Sequence, residues 1–126
     1  MTALIPRWLG QCRFVTATQA ALAAVLVKYQ LDLNEFYLLY FLAQAPGQQE
    51  AITAFEDRLP LSQSGLSRMV RHMEDKRCGT IERVATPSDM RSTLLHLTPH
   101  GQEVLAAAQA EVEGCLQAQF EKEEGC

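Results

Sequence analysis

The stretch from Leu59 to Met73 carries the side chains of this sequence that are best suited to recognition chemistry. Amide, hydroxyl and guanidinium groups recur along it, at Gln63, Ser64, Ser67, Arg68 and Arg71. Such groups can hydrogen-bond to base edges and phosphate oxygens, and arginine pairs well with guanine. In a helix they would lie on one face and could enter a DNA major groove. Taken alone, the stretch fits an ordinary amphipathic surface helix equally well.

The apolar residues of the same stretch predict that helix. They recur at steps of three and four, which places them on the opposite face, at Leu66, Met69, Val70 and Met73. Ser62 is suited to cap the first turn, and Pro60 prevents an earlier helix from running on. The pattern therefore indicates a short helix with an apolar back and a polar, basic front.

The charge distribution favours a nucleic-acid partner, although the net charge of the chain is −4. From Arg58 to Arg91 there are seven basic and four acidic residues, whereas the rest of the chain has four basic and eleven acidic residues. Binding to DNA needs a local positive face rather than a positive total.

The bulk properties are those of one compact domain, since the chain has 126 residues of which 48% are hydrophobic. It has no uncharged apolar run of the length that a membrane span needs, about 18 residues or more, so we expect no membrane span and a cytoplasmic location.

Around the central helix, the pattern predicts helices over 5–29, 35–45 (with Asn34 as its cap) and 49–59. The last of these and the central helix would form a helix-turn-helix. Strands are predicted over 80–84 and 93–97, joined by a turn at 86–89 with Arg83 and Arg91 near the hairpin tip. Thr98 and Pro99 begin a final helix that runs to about residue 120. Residues that recur along it at near-heptad steps form a seam for packing against another helix: Leu105, Ala108, Val112, Cys115 or Leu116, and Gln119 or Phe120. The expected fold is mainly α with a small β-hairpin.

This ordered set resembles the MarR family of winged helix-turn-helix transcription regulators. The resemblance is carried by SQSGLSRMVRHMEDK at 62–76, IER at 81–83, Asp89-Met90-Arg91, and LTPHG at 97–101. It implies a single domain over 1–126, with dimerisation helices at 5–45 and 98–120 and a winged-helix DNA-binding lobe at 48–97. It also implies a homodimer on a pseudo-palindromic double-stranded operator, usually a repressor, released by a small phenolic or lipophilic ligand or by an oxidant.

The resemblance also assigns roles to individual residues. Asp89 would brace Arg91, and Arg91 would enter the minor groove; Arg83 could reach a phosphate or the minor groove. The recognition-helix contacts would be Ser62, Gln63, Ser64, Ser67, Arg68 and Arg71. One departure from the family is that the exit from the helix, 75–79, has about two residues more than usual, which would redirect the wing.

Two further groups of residues have alternative interpretations. Phe36, Tyr37 and Tyr40 could line a ligand cavity or simply pack in the core. Cys12 lies near Arg7 and Arg13, and nearby cations lower a thiol pKa. The resemblance makes Cys12 a candidate oxidant sensor, with Cys115 or Cys126 of the other subunit, whereas a small buried hydrophobe is the alternative.

Other classes of function have less support. The four cysteines and three histidines show no zinc-type spacing, so we expect no metal or cofactor and reduced thiols. No nucleophile–base set, carboxylate pair in an apolar cleft or phosphate-binding loop indicates an enzyme. A winged helix used only for protein–protein contact is the stronger alternative. That function would not explain why four arginines occur on one face, Arg68, Arg71, Arg83 and Arg91.

Overall fold

The computed structural model describes residues 3–75, 77–85 and 93–124. The chain forms two compact units, 1–33 together with 108–126, and 34–107. Three short 3-10 turns lie at Val27–Tyr29, Pro46–Gln48 and Ile52–Phe55. The helices and strands, in chain order, are α1 (Leu4–Leu26), α2 (Leu33–Gln44), β1 (Gln49–Ala51), α3 (Gln63–Glu74), β2 (Ile81–Ala85), β3 (Thr93–Leu97) and α4 (Pro99–Glu124).

The first unit consists of α1 and the C-terminal part of α4. Its buried apolar side chains come from both helices and from the turn after α1: Leu22, Leu26, Leu31, Ala108 and Val112. The rings of Phe14 and Phe120 stack with centroids 5.5 Å apart. At the other end, Lys28 Nζ lies 2.6 Å from Glu111 Oε2. The predicted helix over 5–29 is confirmed, with its last three residues in a 3-10 turn.

The second unit has α2 at its centre. Leu38, Leu39 and Leu42 are fully buried, as expected for a helix that is apolar on most sides. The prediction that Asn34 caps this helix is wrong, because the helix begins at Leu33. Asp32 belongs to the same class of capping residue, and the sequence pattern does not distinguish the two.

The segment 49–59 is not the predicted helix. Its first three residues form β1, which pairs antiparallel with β3 and sets Gln49 opposite His96, and a single 3-10 turn follows. Hydrogen bonding to β3 satisfies this backbone and outweighs the modest helix preference of the segment. Phe55 and Leu59 are nevertheless buried. The first element of the predicted helix-turn-helix is therefore short and irregular.

The predicted hairpin is confirmed as part of a three-stranded sheet with the order β1-β3-β2. Ile81 lies opposite Leu97, and both are buried together with Leu95. The turn between β2 and β3 lies outside the described residues. Period-two alternation thus packs one face of the sheet against the core.

The predicted start of α4 is confirmed. Thr98 Oγ1 accepts a hydrogen bond from the Gly101 amide at 2.9 Å and donates one to the Gly79 carbonyl at 2.5 Å. The predicted helix-pairing seam is partly occupied within the chain, because Leu105, Ala108 and Val112 are buried there. The seam residues that keep exposed surface lie further along the helix, such as Phe120.

Among the described residues, no single helix is long and apolar enough to cross a membrane; α1 with its 3-10 turn and α2 reach those criteria only when they are counted together.

Candidate nucleic-acid interface

Local capping and burial together position α3. Ser62 precedes it with extended backbone angles, and its Oγ accepts a hydrogen bond from the Gly65 amide at 3.0 Å. This is the N-cap that the sequence predicted. Leu66, Val70 and Met73 are buried in the second unit. The helix is therefore fixed at its start and along its apolar side.

The opposite side of α3 is open to solvent. Ser62, Gln63, Ser64, Arg68 and Arg71 are exposed, whereas Ser67 is half-buried. The hydroxyls of Ser62 and Ser64 lie 3.2 Å apart. No acidic residue occurs between 62 and 73. The structure thus brings the predicted recognition residues onto one face that offers hydrogen-bond donors and two positive charges.

The wing is the hairpin that β2 and β3 form. On it, Arg83 is held by a partner that the sequence pattern did not indicate. Its Nε donates to Glu74 Oε1 at 2.8 Å, and this contact joins β2 to the last residue of α3. The two residues are nine positions apart, so no helical or strand spacing could have indicated the pair. Asp89 and Arg91 lie outside the described residues, and their roles remain predictions.

The exit from α3 is a compact turn. The Asp75 carbonyl accepts hydrogen bonds from the amides of Cys78, at 2.9 Å, and Gly79, at 2.7 Å. Gly79 has a φ of +58°, which glycine adopts without steric cost. The Thr80 amide then donates to the Met73 carbonyl at 3.2 Å. The exit therefore folds back on α3 and sets where β2 begins.

A cluster of titratable groups lies beside this turn. His72 Nε2 is 3.6 Å from Cys78 Sγ and 3.6 Å from Oε2 of the buried Glu35. Burial raises the pKa of the Cys78 thiol, and the nearby charges of Glu35 and Asp75 raise it further, which disfavours the reactive thiolate. In the part of the chain that the structure describes, no three such residues are arranged to hold a metal ion.

The candidate ligand residues on α2 differ in exposure. Phe36 is buried, Tyr37 is half-buried and Tyr40 is exposed. Burial raises the pKa of Tyr37, so its phenol remains a neutral hydrogen-bond donor. Phe36 thus belongs to the core, while the two tyrosines keep accessible surface.

Cys12 is half-buried on α1 and lies beside open space. With Trp8, Gln11, Val15 and Thr16 it lines a surface pocket of about 270 Å³. Cys12, Cys78 and Cys115 are free thiols. The structure does not describe Cys126.

Comparison with solved structures shows which fold this is. AbsC, a MarR family transcriptional regulator from Streptomyces coelicolor, matches with a TM-score of 0.86 and 20% identity over 97% of this chain and 81% of that one. Sco3205, a MarR family regulator from the same organism solved in complex with DNA, matches with a TM-score of 0.84 and 22% identity over 94% and 74%. NadR, solved in complex with 4-hydroxyphenylacetate, matches with a TM-score of 0.75 and 17% identity over 90% and 77%.

The chain therefore has the winged helix-turn-helix fold of MarR regulators, mainly α with a small antiparallel sheet. No family model matches the sequence, and no curated protein matches it significantly.

Proposed function

We propose that the protein is a DNA-binding transcription regulator that reads the major groove with α3. One observation carries the proposal: the solvent-facing side of α3 holds Gln63, Ser64, Arg68 and Arg71, with no acidic residue between positions 62 and 73, while its other side is anchored in the core. The fold adds support, since Sco3205 has it and was solved with DNA.

In this arrangement the polar side chains of α3 hydrogen-bond to base edges, and the arginines pair with guanine or phosphate. Ser62 caps the first turn of the helix, and Ser67, on the same helical row as Gln63 and Arg71, is half-buried. On the wing, Arg91, braced by Asp89, enters the minor groove. Arg83 contacts a phosphate through the guanidinium N–H groups that do not donate to Glu74.

We further propose that the protein acts as a homodimer, assembled through the helices at 5–45 and 98–120. A second copy is the occupant that suits the apolar surface of α1, where Leu4 and Ile5 are each 72% exposed and Trp8 is 64% exposed. A two-fold dimer presents two α3 helices to half-sites about 34–36 Å apart, hence a pseudo-palindromic operator. Bound there, the dimer represses transcription. Sedimentation equilibrium tests this assembly, and Trp8→Ala should weaken it.

The test of DNA binding begins with selection of bound duplexes from a random pool. Arg68→Ala and Arg71→Ala should each weaken binding to the selected duplex. A variant that loses a phosphate contact lowers the slope of log affinity against log salt by about 1, and one that loses a guanine contact costs about 1–3 kcal/mol. Lys122→Ala is the control, since it removes one exposed positive charge near the end of α4, outside the basic segment 58–91.

Two outcomes would count against this function. If the Arg68→Ala/Arg71→Ala variant bound the selected duplex as tightly as Lys122→Ala, α3 would not be the reading element. If the wild-type protein enriched no duplex, the alternative of a winged helix for protein–protein contact would be favoured.

We propose that a small phenolic or lipophilic ligand releases the DNA, with Tyr37 and Tyr40 contributing to its site beside Phe36. The support is the accessible surface of the two tyrosines, together with the phenolic compound bound to NadR. With 4-hydroxyphenylacetate as the probe, DNA affinity should fall with rising concentration, and Tyr37→Phe should reduce this effect if the phenol hydroxyl donates to the ligand. An unchanged response in Tyr37→Phe would remove Tyr37 from the site.

An oxidant-sensing regulator is the second candidate, because Cys12 borders an open pocket that admits a small oxidant. Hydrogen peroxide should then lower DNA affinity in the wild type and leave Cys12→Ser unaffected. If release persisted in Cys12→Ser, this thiol would not be the sensor.

A further inference from the structure

The contact between Glu74 and Arg83 joins the two elements that the proposed function brings to DNA. Glu74 is the last residue of α3, and Arg83 is the third residue of β2. Both side chains keep accessible surface, 23% for Glu74 and 42% for Arg83. Exposed ion pairs contribute little to stability, so folding alone does not account for an acidic group at this point.

The pair extends an attachment that begins in the backbone. The amide and hydroxyl of Thr80 both donate to the Met73 carbonyl, at 3.2 Å and 3.4 Å, and fix the start of β2 against α3. Arg83 lies three residues further along, so its bond to Glu74 holds the strand at a second point. Two points of attachment define a direction for β2, whereas one defines only a position.

The charge of Glu74 has a second effect. A carboxylate at the end of a DNA-facing helix repels phosphates at any sequence, and this lowers sequence-independent attraction. Its hydrogen bond also fixes the plane of the Arg83 guanidinium, since charge-assisted bonds of this kind are directional. The repulsion weakens binding to every duplex alike, whereas the fixed guanidinium favours the duplex whose backbone matches its geometry.

We infer that Glu74 is a positioning residue for DNA specificity: it holds Arg83 and aims the wing relative to α3. This inference rests on the proposed DNA-binding function. Glu74 need not contact DNA, because it acts through the arginine that it orients.

Glu74→Gln tests the inference, because it keeps the shape of the side chain and removes its charge. The measurements are affinities for the duplex selected by the wild-type protein and for a shuffled duplex of equal length, both over a range of salt. We expect tighter binding to the shuffled duplex and a specificity ratio lower by about tenfold, the difference between a charge-assisted and a neutral hydrogen bond, because the glutamine oxygen still accepts from Arg83. The thermal midpoint should change little.

Glu82→Gln is the matched control. Glu82 is an exposed acid next to Arg83 on the same strand, and its Oε1 lies 2.9 Å from His96 Nδ1 on β3 rather than bonding to α3. It loses the same charge while the attachment of β2 to α3 stays intact. Affinity for both duplexes should therefore rise by a similar factor, with the specificity ratio kept.

A double-mutant cycle supplies a second, independent readout. In the Arg83→Ala background, Glu74→Gln should leave the specificity ratio unchanged, because Glu74 acts through the arginine that is then missing. A direct effect of the Glu74 charge on sequence preference would instead lower the ratio in both backgrounds.

The inference is overturned if Glu74→Gln behaves like Glu82→Gln, or if it lowers the specificity ratio equally in the Arg83→Ala background. It also falls if the wild-type protein selects no duplex, but that result appears before any variant is made and refutes the proposed function itself. A selected duplex together with an unchanged specificity ratio in Glu74→Gln refutes only the role of Glu74.

Discussion

Replacing Gly101 by alanine tests a close backbone approach between α4 and the root of the wing. A Cβ atom built on Gly101 would lie 2.1 Å from the Thr80 carbonyl oxygen and 2.8 Å from Leu97 Cδ1. Close carbon–oxygen contacts in proteins are about 3.3 Å, so the two backbones must separate by more than about 1 Å. The same Thr80 oxygen accepts a hydrogen bond from the Thr98 amide at 3.1 Å, which the separation would strain.

The expected loss of stability can be estimated from these contacts. Overpacking costs about 1–3 kcal/mol, and here the upper end applies because the obstruction is backbone rather than a flexible side chain. Loss of the Thr98–Thr80 hydrogen bond adds about 1 kcal/mol. The better helix propensity of alanine offsets about 1 kcal/mol. The free energy of unfolding should therefore fall by about 3 kcal/mol for Gly101→Ala.

Urea unfolding followed by circular dichroism, at one protein concentration for all variants, measures this change. Gly114→Ala is the control in the same helix, because a Cβ there meets no atom within 4 Å. It should be more stable than the wild type by about 0.5–1 kcal/mol. If Gly101→Ala lost less than about 1 kcal/mol, α4 could move away from Thr80 at little cost, and the reasoning from close packing would be refuted.

Two further predictions concern local contacts. Ser62→Ala removes the acceptor of the Gly65 amide and should lower the free energy of unfolding by about 1 kcal/mol in the same urea assay. Ser67→Ala is the control, because it removes no cap and should not cause this loss. Equal losses in the two variants would contradict the capping role of Ser62. The hydrogen bonds from Lys28 and Tyr29 lower the pKa of Glu111, so its contribution to stability is present at neutral pH and is lost as the pH falls below the ordinary glutamate range, about 4.3. The stability difference between the wild type and Glu111→Gln should accordingly stay the same from pH 7 to about pH 5 and shrink as the pH falls below about 4.3, and a difference that stayed constant down to about pH 3 would contradict the assignment.

The sequence predicted the elements whose determinants are local. The Ser62 cap and the buried positions Leu66, Val70 and Met73 follow from spacing within α3, and the Thr98 cap follows from the residues around it. The residues within one helical turn determine these short-range hydrogen bonds and the burial of one helix face. These parts of the candidate interface therefore need no tertiary information.

The sequence predictions failed where contacts with residues far away in the chain determine the structure. Residues 49–51 became a strand because β3, more than forty residues further on, supplies its hydrogen bonds. On α4, periodicity identified Leu105, Ala108 and Val112 as a seam but could not indicate that they are buried within their own chain. A hydrophobic pattern indicates that one face of a helix is buried, but it does not identify the surface that buries this face.

A count of charged residues is limited in the same way, because it does not show which charges pair with one another at the candidate site. A count over 58–91 treats each acidic residue as cancelling a basic one, yet the structure separates the two signs. Glu74 and Glu82 bond to Arg83 and His96 on and beside the wing, while Arg68 and Arg71 on α3 have no ion pair among the described residues. Glu74 and Glu82 therefore do not pair with the arginines of the α3 face and instead orient side chains at its border. Local positive potential, rather than the net charge of −4, is the quantity that phosphates would sense.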